Sequence, residues 1–500
     1  MKRLTLLLLA LTLAIACATQ PPLPAERGEG QGEGPLAPPP PPPPPLPPPD
    51  PDAFRATAPA PAPPRAYKFP DVQRITLDNG LRVLIAPTAT APLVTVRAVV
   101  RSGAVYDPAD DAGLAALTAQ LVDEGAGKRT AIQIAEELGN LGASLNTGAT
   151  FDSSFVALDV LGSELPKGLE IFADVIRRPR FDEKDFEREK KDRLTELLQQ
   201  KDQPVIIAGN EFARRVYGET AYGRPQAGSA KTVPNITRKD VRDFYARNWV
   251  PNNTFLIITG SVDAAAAREL AQRYFGDWKR GKDVPDVNVV APAVERSQIY
   301  LVDRPAAVQS EIRVGHAGVP RATDDYFALL TMNSILGGQF TSRLNLNLRE
   351  KHGYTYGARS AFTFRRQAGP FTAQAAVRNA VTSESVRETM NELQRLGSGD
   401  ITDEELKFAK DYLMGVFPNT VQTASELAQR IQELELYELP EDYFDHYRER
   451  IAAVTKEDVV RVAREHVNPD KLVIVVVGKA AEVREPLEKL SLPVTVTQVE

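Results

Sequence analysis

The chain predicts an α+β fold built as two copies of one domain, behind an exported leader and a proline-rich tether. Three observations predict it. Strand-like and helix-like stretches mix from about residue 70 to the end; a 25-residue stretch recurs without gaps; and 500 residues exceed what one hydrophobic core organises. The 60 Lys and Arg against 66 Asp and Glu leave a net charge of −6 with no dense basic block, which excludes a nucleic-acid footprint.

The first element is the leader "MKRLTLLLLALTLAIAC". Lys2 and Arg3 precede an apolar run too short to span a membrane comfortably, followed by small residues, the pattern of a signal peptide over residues 1–16. Cys17, the only cysteine, follows the cut after Ala16 and resembles the lipobox of bacterial lipoproteins. Two readings stay open, a lipidated Cys17 and an ordinary cut that leaves a free cysteine. In the first, Ala18 suits outer-membrane sorting, giving a periplasmic protein anchored to the outer membrane of a Gram-negative bacterium. One cysteine permits no intramolecular disulfide.

Residues 17–66 form the tether. The composition of "GEGQGEGPLAPPPPPPPPLPPPDPD" cannot bury a core and favours polyproline II. At about 3.1 Å per residue, Pro35 to Pro64 reaches roughly 90 Å.

The globular part opens with "RITLDNGLRVLI", in which apolar positions alternate on either side of Asp78-Asn79-Gly80, a hairpin signal. "PLVTVRAVV" reads as a further strand. In "TAIQIAEELGNLG", Ile134, Leu138 and Leu141 keep helical spacing, with Thr130 as cap and Gly142 as stop.

The repeat lies further on. Ile236 to Gly260 aligns without gaps on Val454 to Gly478, 218 residues later, each copy reading as a capped helix, a Pro turn and an apolar strand. A second echo at nearly the same offset places Phe181 on Ile401, Phe186 on Leu406 and Lys190 on Lys410, in helix-like stretches. The domains are therefore drawn at 67–285 and 286–500, joined near "FGDWKRGKDVPDVNVV", where charge and Pro interrupt the periodic pattern.

"SILGGQFTSRLNLNLREKHGYTYGARSAF" carries a paired-Gly turn, a helix, and Arg349 followed seven residues later by Tyr356. With its Ser-Arg-Leu and Leu-Arg-Glu runs, the two-copy layout and the Asp-Asn-Gly-Leu hairpin, the chain resembles the insulinase-like zinc peptidases, which include pitrilysin and mitochondrial processing peptidase. The resemblance covers roughly residues 70 to 500. It implies domains with an antiparallel sheet packed by helices, together forming half of a clamshell. It also implies that Arg349 and Tyr356 act across a closed chamber on a peptide held at another domain's zinc. A phenol hydroxyl can donate to a tetrahedral oxyanion, and a guanidinium can orient a peptide carbonyl.

Active members carry His-x-x-Glu-His, two imidazoles one turn apart as zinc ligands with Glu as general base. Aligned on "GLAALTAQLVDEG", this puts Ala116 and Gln120 at the histidines and Ala119 at the glutamate, so the first domain has a degenerate zinc motif. The family's third ligand falls on Glu196, 76 residues beyond Gln120, and its second acidic position on Glu189. A charge-rich amphipathic helix also places structural Glu residues at such points, so both readings of Glu196 stay open.

The four histidines, His316, His352, His446 and His466, offer no pair at metal-ligand spacing, and no Gly-x-Ser-x-Gly elbow occurs. The expectation is a chain without metal or cofactor of its own, inactive alone. It would be the non-zinc subunit of a heterodimeric periplasmic metallopeptidase, with Arg349 and Tyr356 serving the zinc site of a partner that acts on peptides or unfolded polypeptides. A non-catalytic binding or scaffolding lipoprotein of the same fold is the second reading, and a peptidase with an unrecognised metal site a third.

Overall fold

The computed structural model describes Arg55, residues 67–89 and residues 91–498. The signal peptide, Cys17 and, Arg55 apart, the tether to residue 66 lie outside the described residues. Among the described residues no helix is long and apolar enough to cross a membrane.

The Asp78-Asn79-Gly80 hairpin joins β1 (Gln73–Thr76) to β2 (Arg82–Pro87). Gly80 holds φ at +89°, where a β-carbon is costly, and its amide donates to the Leu77 carbonyl at 2.8 Å. Asn79 ties the turn to the body through its amide nitrogen, which donates to the Phe275 and Trp278 carbonyls at 2.7 and 2.9 Å. There follow β3 (Leu93–Val100), α1 (Leu114–Leu121) and the short pair β4 (Gly125–Ala126) and β5 (Arg129–Thr130). Next is α2 (Ala131–Asn140), where Thr130 and Gln133 form a capping box. The first half continues with β6 (Ser144–Ala149), β7 (Ser154–Leu161), α3 (Leu165–Arg177), α4 (Glu183–Gln200), α5 (Pro204–Tyr217), α6 (Arg238–Asn248), β8 (Thr254–Gly260) and α7 (Ala264–Phe275).

The second half begins with β9 (Gln298–Asp303), β10 (Gln309–Ala317), α8 (Tyr326–Leu336) and α9 (Arg343–Asn345), which runs into a π-helical turn at Leu346–Lys351. After β11 (Ala358–Phe362) and β12 (Pro370–Arg378) come α10 (Thr382–Ser398), α11 (Asp403–Val416), α12 (Ala424–Leu436), α13 (Tyr447–Ala453) and α14 (Lys456–His466). The chain closes with β13 (Val473–Gly478), α15 (Ala480–Glu488) and β14 (Val494–Gln498).

The duplication read from the echoes is present strand by strand. The sheets run β6-β7-β3-β8-β2-β1 and β11-β12-β10-β13-β9-β14, with β2 parallel to β8 as β9 is to β13. They differ at one edge: β1 is an N-terminal hairpin arm antiparallel to β2, whereas β14 comes from the end of the chain, parallel to β9. Thr237 with Asp240 and Thr455 with Asp458 form matching capping boxes. Lys190 donates to the Pro234 and Ile236 carbonyls at 2.9 and 2.8 Å, and Lys410 to the Ala452 carbonyl at 2.8 Å, tying α4 and α11 to the lead-in of the capped helix in each half. Phe181 and Ile401 are buried but sit two residues ahead of α4 and α11, not inside helices as their spacing suggests.

One face of the first sheet forms a core with α3 and α7, in which Val94, Val96, Phe172 and Phe275 are fully buried or nearly so. The other face receives α12 from the second half, and α5 from the first half packs on β10 and β13 of the second sheet. The α5 contact is apolar, with Phe212, Val216 and Tyr217 against Val302, Val473 and Val475. At roughly 1.5–3 kcal/mol for each large apolar side chain fully buried, it is a strong but non-directional clasp. The α12 contact adds polar register. Arg97 on β3 donates to Gln432 at 2.5 Å, Arg82 on β2 to Glu435 at 2.7 Å, and Thr259 on β8 to the Ala424 carbonyl at 2.7 Å. The described residues from 67 onward form one compact unit, cross-braced by this exchange of helices.

Candidate functional site

Helix α1 has no Ser or Thr cap. The Asp107 carboxylate takes that role, accepting from the Gly113 and Ala115 amides at 2.9 and 2.8 Å. Burial pushes the Asp107 pKa up to about 7, against the pull of those amides and of Arg224. Gly113 holds φ at +102°, and a β-carbon there would lie 2.9 Å from the Gly228 backbone. Leu117, Thr118, Ala119 and Leu121 are buried by this packing, while Ala116 and Gln120 stay partly accessible on one face.

Helix α4 brings Glu189, Arg193 and Glu196 against that face. The Gln120 amide nitrogen donates to Glu189, which is 4% exposed, and its amide oxygen accepts from Arg193 Nη2 at 2.6 Å. Arg193 Nη1 lies 3.1 Å from Glu196, whose side chain is half exposed. Arg188 pairs with Glu189 and with Glu124. The structure thus gathers Gln120, Glu189 and Glu196, positions marked in the sequence, and adds Arg193. Lying four residues after Glu189 and three before Glu196, Arg193 shares their helix face, and that spacing was the signal available for it.

Zinc does not fit this arrangement. It requires several imidazole, thiolate or carboxylate ligands in a tetrahedral array. Ala116 and Ala119 offer only methyl groups, and both ends of the Gln120 amide are engaged. Glu196, the remaining candidate ligand, is paired with the Arg193 guanidinium. A fixed cation, Arg193, joins the two helices at the positions that the resemblance marks as metal ligands.

Arg349 and Tyr356 lie on the other half, in the segment between the paired glycines and β11. Gly337 is required there, because a β-carbon would come 2.3 Å from the Ser360 amide nitrogen. Asn345 pins the segment at both ends, donating to the Phe340 carbonyl at 2.6 Å and accepting from the Ala358 amide at 3.1 Å. Arg349 sits on the π-helical turn, its guanidinium 4.5 Å from the Phe340 ring centre. Thr355 donates to the Ala376 carbonyl at 2.7 Å and anchors the loop, while Tyr356 beside it is 94% exposed. No hydrogen bond or ion pair joins Arg349 or Tyr356 to the α1–α4 cluster.

Among the described residues, one group has ligand atoms close enough to share a metal ion, Asp325, Glu465 and His466, within 4.8 Å of one another. The sequence reading missed it, because Asp325 is distant along the chain. Arg461 pairs with Asp325 at 2.6 Å and Glu465 at 2.8 Å, and His466 hydrogen-bonds Asp325 at 2.7 Å, so both carboxylates are already held by the Arg461 guanidinium. His446 pairs with Glu449 at 2.8 Å, and buried His316 has its pKa lowered by desolvation.

The acids around α1 give a pH signature. Burial pushes Asp123 up to about 6 and raises Glu189, with Glu124 reinforcing both. An acid that holds its proton more tightly when folded contributes stability that is present at low pH and lost as pH rises from about 4 to its folded value. Asp123→Asn should flatten the fall in urea midpoint between about pH 4 and pH 6; an unchanged slope would assign the effect to other groups.

The fold and site define a class: a duplicated α+β chain on the plan of a zinc peptidase, whose α1 carries no histidine, cysteine or carboxylate. Residues 82–229 match the family model described as insulinase (peptidase family M16), and residues 235–413 the model described as the peptidase M16 inactive domain. The chain belongs to this M16 family. An uncharacterized zinc protease of Mycobacterium tuberculosis is 28% identical over 394 residues, 78% of this chain and 90% of that one. One of Bacillus subtilis is 22% identical over 401 residues, 79% and 95% of the two chains. A crystal structure described as a peptidase M16 inactive domain from Pseudomonas fluorescens superposes with a TM-score of 0.77 at 27% identity, covering 82% of this chain and 98% of that one. A protease from Helicobacter pylori shares the fold, with a TM-score of 0.78 at 21% identity and coverage of 82% and 99%.

Proposed function

We propose that this chain is the zinc-less subunit of a two-chain M16 metallopeptidase. It lends Arg349 and Tyr356 to a partner that carries His-x-x-Glu-His. The observation that carries the reading is the contrast between the two halves: the metal position is closed by Arg193, while Tyr356 stands almost fully exposed on an anchored loop. A tyrosine that contributes nothing to its own core is explained by a role outside it.

In this reading Arg349 orients a carbonyl of a peptide enclosed between the subunits, and the Tyr356 hydroxyl donates to the oxyanion formed when that peptide is attacked. The zinc and the attacking water belong to the partner. The leader and Cys17 support an exported protein held at the outer membrane, with the tether setting its reach.

Peptide hydrolysis and zinc content, measured for the purified chain alone and mixed with a zinc-motif relative from the same genome, test the proposal. Activity should appear in the mixture and exceed that of either chain. Silence in the mixture, with no complex on size-exclusion chromatography, would turn the assignment to a tethered binding or scaffolding protein.

A further inference from the structure

Where α12 crosses the first sheet, a cavity of about 390 Å³ opens beside β3. Three guanidinium groups line it, from Arg97 on β3, Arg430 on α12 and Arg321 in the lead-in to α8. Arg321 is 2% exposed. Its Nε donates to Glu433 at 2.5 Å, its Nη1 to the Tyr443 hydroxyl at 3.0 Å, and its guanidinium carbon lies 3.5 Å from the Tyr326 ring centre. Its Nη2 is buried and has no acceptor among the described residues.

The charges around the cavity do not balance. Glu433 is the one carboxylate among the lining residues, and it is shared, one oxygen on Arg321 and the other on Arg430 at 2.7 Å. Arg430 retains a buried Nε without an acceptor among the described residues. Arg97 gives its Nε to the neutral amide of Gln432 at 2.5 Å and stacks 4.1 Å from the Phe155 ring centre. Asp159, whose charge acts on Arg97, accepts from Thr95 at 2.5 Å, and burial nonetheless lowers the Arg97 pKa to about 10. A buried donor without an acceptor costs about 1–3 kcal/mol, more when charged, and a buried charge needs a partner. Guanidinium forks match the oxygens of phosphate and carboxylate in geometry as well as sign.

We propose that this cavity is a binding site for a small oxyanion, a phosphate or carboxylate group, gripped by Arg97, Arg321 and Arg430. Its volume falls in the range of small-molecule sites, roughly 300–1,000 Å³. An anion held there bridges β3 of the first half and α12 of the second, so it tightens the clasp between the two halves. This site lies apart from the α1–α4 cluster and from Tyr356, and it stands whether or not a peptidase partner exists.

Thermal unfolding and isothermal titration of the full chain test it, with inorganic phosphate, citrate and sodium chloride at matched ionic strength. Phosphate or citrate should give a saturable rise in melting temperature and a measurable heat, and whichever acts at lower concentration identifies the group recognised. Kosmotropic anions also stabilise proteins generally, so the variants decide. Arg97→Gln and Arg430→Gln should each weaken binding at least tenfold. If Arg97→Gln does not fold by circular dichroism, Arg430→Gln carries the comparison, since its side chain is partly exposed. Equal melting in all three salts, or the same rise in the folded variants as in the native chain, overturns the proposal.

Discussion

If this chain completes a two-chain peptidase as proposed, Tyr356→Phe should slow peptide hydrolysis by the mixed chains roughly 10²- to 10³-fold, the loss expected when one oxyanion donor is removed. The melting temperature and the affinity of the two chains for each other should stay unchanged. The expectation follows from exposure: Tyr356 is 94% exposed, and its hydroxyl has no hydrogen-bond partner among the described residues, so removing it takes nothing from the described fold. The fall should appear in kcat with little change in KM, because the bond forms only as charge develops on the carbonyl oxygen. Arg349→Ala should act differently, raising KM more than it lowers kcat, because a guanidinium on a peptide carbonyl also binds the ground state. Steady-state kinetics of the mixed subunits separate the two. An unchanged rate for Tyr356→Phe removes Tyr356 from the chemistry and leaves the exposed loop as a docking or structural feature.

How much of this was legible in the sequence depends on how local each signal is. The Asp78-Asn79-Gly80 turn, the Thr130 cap and the two capped helices of the repeat each depend on neighbours within a few residues, and each formed where it was read, the caps as full capping boxes. The duplication was legible because an ungapped echo preserves such signals in register. Periodicity does not say which sheet a helix covers, so the exchange of α5 and α12 could not be read, although it decides what lies opposite Arg97. The edge strand β14 was missed for a similar reason, since its pairing with β9 joins residues nearly 200 apart. At the degenerate zinc motif the sequence showed which groups were lost. It took the folded geometry to show that the Arg193 cation lies between Gln120 and Glu196, the positions read as two of the ligand sites.

That placement predicts a two-step rebuilding of the metal site. Ala116→His with Gln120→His restores two imidazoles one helical turn apart, yet this double variant should take up no zinc. Arg193 still pairs with Glu196 at 3.1 Å and would hold a positive charge where the metal must sit. Adding Arg193→Gln frees Glu196 as the third ligand, and this variant should bind about one equivalent of zinc, removable by chelator. Ala119 is left alone on purpose: it is fully buried, and a glutamate there would bury a carboxylate that metal binding does not need. With zinc at about 100 times its dissociation constant, the folded state should gain about 2.7 kcal/mol, visible as a metal-dependent rise in melting temperature. Equal zinc uptake by the two variants would show that Arg193 does not guard the site. Failure of both would make Glu196 a structural residue, held by α4 for its ion pair alone.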